Sequence, residues 1–596
     1  MIHFLNLFFQ GFFYIFLTSF LPGMVLFILI FRKGRIFWPA VFGLGILYTF
    51  LKVYMLAILG IYSGGAVWVL SLLELSLAVW LILKKGKFFS FKLEKGEIWL
   101  AAIFFVLGVK RVALALFYPF FVGDVWASWN RWAVVWFRLK KFSFINDFTY
   151  PQLLPANWSH IYKLAGGVFT PEYYAHAFTL FFYLFILWIL FQLKGVLSKA
   201  TIFVFSAYFL FNQSSFFSVD IGSGLADMPA AFFVILSVFY LKEYLSIEER
   251  KYIYMSFLMA AGAALTKQAG VFFWLILPIL FIVFRKEKRI GERFREIKKP
   301  FLWSLIPIVS WYGVARLSQA TTWPQIQDAL RSFSLFERLQ VGAYIIVQNF
   351  GIYLNIHSQS KWLVFLIMAV FWMVASLGIW VSFKKSNFYR WLLLIFIIPY
   401  LIVWTFVYSY DIRNSLIAFI LFLFIVFDGL VFTAEKFFEK WKQAYFFRDN
   451  KNILFIFLAV VLTIGVFFQK PVYAHLANPL NFNDLGKDIV LKKGKVFLNE
   501  KLVKEYFKER ERGKEKIITN FSDFTTKLHL EDVALMVNFK DKERKDWENF
   551  NLVIFKGRKE EYVGLKTFLQ KNSGIKEVVE LYKNEGSGEY LLELKK

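Results

Sequence analysis

The chain has 596 residues, 58% of them hydrophobic and 77 of them Phe, with a formal net charge of +27 and no cysteine. That apolar share places it among polytopic membrane proteins and not among water-soluble domains. The missing cysteine excludes disulfides, thiolate nucleophiles and Cys-ligated metals. The Lys and Arg excess sits mostly in short loops between apolar runs, the mark of cytoplasmic loops, and this excludes a nucleic-acid partner.

The first segment, 1–31, has neither a basic n-region nor a small-residue cleavage site and reads as a retained helix. Hydropathy predicts about fourteen spans, near 10–31, 36–62, 65–84, 97–119, 173–193, 199–217, 227–245, 252–266, 270–285, 300–317, 361–382, 391–408, 413–433 and 452–469. Loops 32–35, 84–95, 285–299, 383–390 and 434–451 are strongly basic and all fall on one side of this topology. The alternate connections 62–65, 218–226 and 409–412 contain no Lys or Arg. The expectation is a cytoplasmic (inner) membrane protein with both termini outside the cytoplasm.

Three external segments exceed what a connection needs. The first, 120–172, contains "FVGDVWASWNRWAVVWF", in which Trp126, Trp129, Trp132 and Trp136 share about one third of a helical wheel. Asp124, Arg131 and Arg138, spaced by seven, share another face. This pattern predicts a helix lying at the bilayer surface with its indoles at headgroup depth. Asp124 reads both as a helix cap and as a catalytic base at the outer surface, and the two are compatible. The second segment, roughly 318–360, includes "TTWPQIQDALRSFSLFERL", read as another surface helix. The third, 472–596, turns Lys/Glu-rich. Its apolar runs "NLVIF", "EVVELY" and "YLLELK" surround the helical pattern "EEYVGLKTFLQK", and "KNEGSGEY" reads as a hairpin, together a small α/β domain.

Charged residues at the outer ends of spans carry two readings each. Lys267 in "LTKQAG" and Arg413 after "YSYD" either snorkel to headgroup phosphate or belong to a site. Asp227 in "LADMPAA" is either a cap before a Pro-started helix or a residue that positions an acceptor or binds a cation. No two of the six His stand at ligand spacing, so no metal site is expected. A divalent cation at Asp124 and Asp227 has no sequence support, and no cofactor is expected.

The order of these motifs resembles the C-type (GT-C) membrane glycosyltransferases, the broad group of protein O-mannosyltransferases and lipid A aminoarabinose transferases. Asp124 after a span, then "ASWNRWAVVW", "YPQLLPANWSHIYKLAGG" (150–167), "GLADMPAAFF" (224–233), "LTKQAGVFF" (265–273) and "SYDIRNSLIAFIL" (409–421) carry the likeness over about 97–430. Two features depart from it. Three extra spans come first, and Val125 follows Asp124 where the protein O-mannosyltransferases have an Asp-Glu pair, which argues against a protein acceptor.

The resemblance implies a mainly α GT-C membrane protein in three parts: a transmembrane extension, 1–96; a glycosyltransferase membrane domain, 97–471; and the external α/β domain, 472–596. It implies transfer of a sugar (a hexose or a pentose) from a polyprenyl-phosphate donor, with inversion, to a hydroxyl of a cell-envelope glycan, lipid or protein outside the cytoplasm. Asp124 would be the base, and Arg413, Lys267 and Arg131 the donor-phosphate ligands. Asp227 would be a secondary acidic or acceptor residue. The competing class is a transporter or flippase of lipid-linked glycans, which should place its charges at mid-membrane and not at the outer boundary.

Overall fold

The computed structural model describes residues 2–85, 125–138, 150–167, 171–193, 224–317, 361–407 and 412–444, with short stretches at 89–90, 98 and within 334–346. In the C-terminal part it describes 517–519, 533–535, 552–556, 559–571, 575–584 and 589–595. The expected spans 97–119, 199–217 and 452–469 lie outside the described residues, as does Asp124. The chain divides into two compact units, one of residues 1–120 and 132–480, the other of residues 121–131 and 481–596.

The membrane unit is built of helices. α1 (Ile2–Ile15) and α2 (Leu21–Phe31) run together through a π turn at Phe16–Phe20, and α3 (Trp38–Ile58) and α4 (Gly64–Lys85) follow. α5 (Arg131–Arg138), α6 (Leu153–Ala165) and α7 (Pro171–Gln192) come next, then the consecutive α8 (Asp227–Ile247), α9 (Arg250–Thr266), α10 (Ala269–Phe284) and α11 (Ile290–Leu317). The last group is α12 (Lys361–Lys385), α13 (Asn387–Leu392), α14 (Ile398–Val407) and α15 (Leu416–Ala444). Among the described residues eight stretches are long and apolar enough to cross a membrane: Phe8–Phe31, Trp38–Ile58, Gly64–Lys85, Glu172–Gln192, Asp227–Ile247, Met368–Lys385, Asn387–Phe406 and Arg413–Thr433.

Glycine sets how closely these helices approach. A Cβ on Gly45 would fall 1.6 Å from the Ser19 carbonyl oxygen, and one on Gly23 would fall 1.8 Å from that of Val41. The first two spans therefore touch backbone to backbone, the small-residue packing that substitutes for hydrophobic burial in lipid. Gly429 plays the same part between α15 and α12, with Gly378 O 1.9 Å from its would-be Cβ.

The basic loops gather at one end of the bundle. Gly34–Arg35 and Phe89–Ser90 pair as two parallel two-residue strands, β1 and β2, so the first two basic loops run side by side. Arg285 donates to Glu248 at 2.6 Å, and Lys288 lies 3.9 Å from the same carboxylate. These cations hold the Glu248 carboxyl below its usual range.

α6 departs from expectation. The segment 150–167 was expected on the surface of the first external loop, yet nearly every residue from Pro151 to Leu164 is buried. Its polar residues are used inside the bundle. Asn157 Nδ2 donates to Ile46 O at 3.1 Å, near the middle of α3, and His160 Nδ1 lies 3.1 Å from Thr18 Oγ1, near the middle of the first span. Polar residues that resemble a solvated face thus form a seam between helices.

A second polar contact holds α4, most of whose surface is exposed. Lys52 Nζ of α3 meets the Glu74 carboxylate of α4 at 2.9 and 3.1 Å, with side chains 3% and 9% exposed. The two ions compensate each other where neither could stand alone.

The C-terminal unit contains a mixed five-stranded sheet of order β4-β3-β5-β7-β6: β3 (Ile517–Thr519), β4 (Val533–Leu535), β5 (Leu552–Lys556), β6 (Glu577–Asn584) and β7 (Glu589–Lys595). Pairs β3–β4 and β3–β5 are parallel, whereas β5–β7 and β6–β7 are antiparallel. α16 (Lys559–Gln570) lays Tyr562, Leu565 and Leu569 into a core with Val553, Val578, Tyr590, Leu592 and Leu594. Tyr562 stacks on Tyr590, ring centroids 3.7 Å apart, and donates its hydroxyl to Glu580. β5, α16, β6 and β7 stand where the sequence pattern predicts them, whereas β3 and β4 were not among the expected strands.

Two stability tests follow from these contacts. Gly45→Ala should lower thermal stability in detergent, because overpacking of this kind costs about 1–3 kcal/mol. Gly65→Ala should not, since its Cβ meets nothing within 4 Å. An unchanged melt for Gly45→Ala would show that the two spans separate freely. Removing one partner of the ion pair, as in Lys52→Met, should cost about 3–5 kcal/mol, and the double change Lys52→Met with Glu74→Leu should recover most of it. Equal stability of the single and double variants would refute mutual compensation.

Candidate functional site

Of the site residues expected from the sequence, Asp227, Lys267 and Arg413 lie at the bundle end away from the basic loops, whereas Asp124 lies outside the described residues and Arg131 belongs to the other unit. Asp227 is the first residue of α8, after a turn in which Gly224 has a φ of +84°. The cap reading does not hold: the cap is Ala226, and Asp227 is the first helical residue. Its carboxylate pairs instead with the ammonium of Lys267, the two side chains being 4% and 13% exposed. An acidic group in the first turn also suits the positive end of the helix dipole.

The backbone explains why Lys267 is there. It ends α9 in extended conformation, and its carbonyl accepts from Gly270 N at 2.9 Å. A Cβ on Gly270 would lie 2.2 Å from Ala263 O, so only glycine lets α10 fold back this tightly on α9. Gly262 of α9 in turn sits against the Phe233 ring of α8. The motifs "LADMPAA" and "LTKQAG" are thereby brought into one ion pair.

Arg413 belongs to the same end. It lies half-buried in the 3-10 turn Ile412–Ser415 that opens α15. Tyr400 of α14 donates its hydroxyl to Asn414 O at 2.5 Å and packs its ring on Phe272, centroids 5.4 Å apart. Phe272 lies one turn into α10, just past Lys267, so Tyr400 ties the Arg413 turn to the Lys267 turn.

Sequence reasoning overlooked Arg338. It lies in the short helix 337–340, inside the segment read as a surface helix. Ser334 opens this helix with a capping box: its amide and hydroxyl both donate to Glu337 at 2.8 Å, which keeps that carboxyl below the usual range. Arg338 is buried and donates to Phe406 O at 2.6 Å, at the end of α14. The S-x-x-E signature was present in "SLFE". Nothing local revealed that the next residue reaches across 68 positions.

The tryptophan stripe is a correction. Val125–Asn130 forms a π turn and α5 follows it, but Trp129, Trp132 and Trp136 are buried in protein. Trp136, 2% exposed, donates Nε1–H to Gln152 Oε1 at 3.1 Å, and Trp132 packs on Tyr150 at 5.8 Å. The helix is amphipathic as expected. Its apolar face meets protein, and in unit 132–480 the partners are the residues leading into α6. The Trp126 side chain lies outside the described residues. Arg131, on the opposite face, is exposed.

Chemically the described end offers an oriented ammonium, a half-buried guanidinium and a carboxylate, with several helix N-termini around them. That set suits an anion. Among the described residues, no three His, Asp or Glu side chains gather in a way that could hold a metal ion.

No family model and no curated protein matches the sequence. Solved structures do. The crystal structure of ArnT from Cupriavidus metallidurans bound to undecaprenyl phosphate matches with a TM-score of 0.52 at 13% identity, over 83% of this chain and 97% of that one. The same protein in the apo state gives 0.49 at 14% identity, over 83% and 98%. The archaeal oligosaccharyltransferase AglB from Archaeoglobus fulgidus, in complex with an inhibitory peptide and a dolichol-phosphate, gives 0.44 at 12% identity, over 80% and 71%. At these identities the likeness is one of architecture. The chain has the fold of the GT-C membrane glycosyltransferases.

Proposed function

We propose that this protein transfers a hexose or pentose from a polyprenyl-phosphate donor to a hydroxyl acceptor, outside the cytoplasm and with inversion. The observation that carries the reading is the Asp227–Lys267 ion pair at the Arg413 end of the bundle, opposite the basic loops, in a chain with the ArnT fold. By the positive-inside rule the basic end faces the cytoplasm, so the candidate site faces away from it.

The chemistry needs a base, an anion site and a lipid groove. Asp124 takes the acceptor proton as the hydroxyl oxygen attacks the anomeric carbon from the face opposite the carrier. The bond from the anomeric carbon to the phosphate oxygen breaks, and polyprenyl phosphate leaves with the electron pair. Lys267 and Arg413 meet the charge that develops there, and the resemblance makes Arg131 a further ligand of the donor phosphate. Asp227 orients Lys267: an ammonium has three donors, so one holds the carboxylate and two stay available to phosphate. The groove for the isoprenoid chain is supplied by the Phe-rich bundle. The acceptor belongs to the cell envelope (glycan, lipid or protein hydroxyl).

The transporter reading draws on the Lys52–Glu74 pair at mid-depth, but those two charges neutralise each other. The charges left for a substrate lie at the end of the bundle, which favours transfer over carriage.

Asp124→Asn keeps most capping ability and removes the basic site. Purified in detergent, that variant should fold and bind donor, yet release polyprenyl phosphate at least about a thousandfold more slowly with an envelope fraction as acceptor. Turnover at the parent rate would leave Asp124 a cap alone. Arg413→Lys should not act as a conservative change, because a guanidinium grips phosphate through two parallel bonds and an ammonium does not. Both Arg413→Lys and Arg413→Ala should depress turnover, and a donor with a better leaving group should partly restore it. Parent-like kinetics in both would mean that Arg413 only snorkels.

A further inference from the structure

α10 leaves the Lys267 turn and ends at Phe284, so α11 begins at the far end of the bundle, among the basic loops. It is one helix of 28 residues. At 1.5 Å per residue it is about 42 Å long, more than a ~30 Å hydrocarbon core requires. Contacts with α9 and α10 fix its inner face. Phe301 stacks on Trp274 with ring centroids 4.7 Å apart, and Trp274 donates Nε1–H to Ser304 Oγ at 2.9 Å. Tyr312 donates its hydroxyl to Ala264 O at 2.9 Å. Leu302, Trp303, Ile306 and Val309 look outward in consequence and are exposed, as the lipid-facing residues of a span are.

One turn before them the outer face changes from apolar to basic. Arg295, Lys298 and Lys299 fall within about 100° of one another around the helix, on the side of Leu302, Ile306 and Val309. All three are exposed. Nearby carboxylates are already engaged, Glu248 by Arg285 and Glu296 by Lys288. Arg293 is held by backbone, donating to Lys288 O at 2.6 Å and Ile282 O at 2.9 Å. Arg295, Lys298 and Lys299 make no side-chain hydrogen bond or ion pair with the described residues. Arg295 stands three and four positions from the two lysines, the spacing at which like charges on a helix repel. An anion between them would relieve that repulsion. Trp303 lies one turn past Lys299, and an exposed indole beside a span end marks headgroup depth.

We propose that Arg295, Lys298 and Lys299 bind the headgroup phosphate of an anionic phospholipid, in the leaflet at this end of the bundle, with its acyl chains along Leu302, Ile306 and Val309. The adjoining charge and grease identify the occupant. A zwitterionic lipid matches the apolar face without the charge, and free phosphate matches the charge without the apolar face. An anionic lipid satisfies both.

The full-length protein in neutral detergent at low salt tests this, with phosphatidylglycerol, phosphatidylcholine of the same chains and inorganic phosphate as probes. Phosphatidylglycerol should raise the melting temperature by about 2–4 °C, and the other two should not. High salt should weaken the effect. The combined change Arg295→Gln, Lys298→Gln and Lys299→Gln touches only exposed side chains, so the variant should fold. It should bind phosphatidylglycerol about a hundredfold more weakly, near fivefold for each charge removed. A control with the same loss of charge on the exposed surface of the C-terminal unit, Lys559→Gln, Lys571→Gln and Lys576→Gln, should bind as the parent does. Parent-like binding by the α11 variant overturns the proposal, and so does equal weakening in the control. An equal response to phosphatidylcholine would reduce the face to ordinary lipid contact, and an equal response to inorganic phosphate would make it a free-anion site; either result overturns the proposal. A parent that binds no phosphatidylglycerol but forms dimers broken by the α11 variant would assign this face to a second copy, and overturn it as well.

Discussion

Every polar side chain that enters the bundle must find its partner inside the protein, because hydrocarbon offers none. That constraint accounts for the features on which the rest of the structure depends. Lys52 stands on α3 because Glu74 faces it from α4, and α6 can lie at the depth of Ile46 and Thr18 because Asn157 and His160 are bonded there. Ser237 and Ser256 follow the same rule across α8 and α9: each hydroxyl donates to the other's backbone carbonyl, at 2.8 and 2.9 Å. Glycine makes these contacts reachable. Where a Cβ on Gly45 or Gly429 would strike a backbone atom, the helices lie close enough for polar groups to meet.

The same economy shapes the candidate site. At the bundle end charges are held by one another without being consumed: Asp227 orients Lys267 and leaves donors over, while Arg338 ends α14 by capping the Phe406 carbonyl. α8, α10 and the 3-10 turn before α15 begin at Asp227, Ala269 and Ile412, at the bundle end that holds these charges. In the proposed reaction the leaving phosphate would meet cations already held in place. Preorganisation of this kind stabilises charge that develops during a reaction more than charge that is merely bound.

The chain's regular parts were legible because their signals are local. Apolar runs of span length, basic loops at alternate turns and the strand–helix–hairpin pattern of the tail each express one physical rule acting over a few residues. The sequence by itself determined that this is a multi-pass helical protein with a small α/β unit at its C-terminal end, and it marked Asp227, Lys267 and Arg413 as charges at span ends. It could not tell a face that meets water from a face that meets buried partners, since both look polar. For that reason α6 and the indoles of Trp132 and Trp136 were expected at a surface and lie inside protein. Only the tertiary structure decided that Asp227 pairs with Lys267, that Arg338 reaches Phe406 and that the first spans grip α6. Each of these contacts joins residues dozens of positions apart, at distances set by glycine-permitted helix approach, and the sequence around either partner does not encode the other.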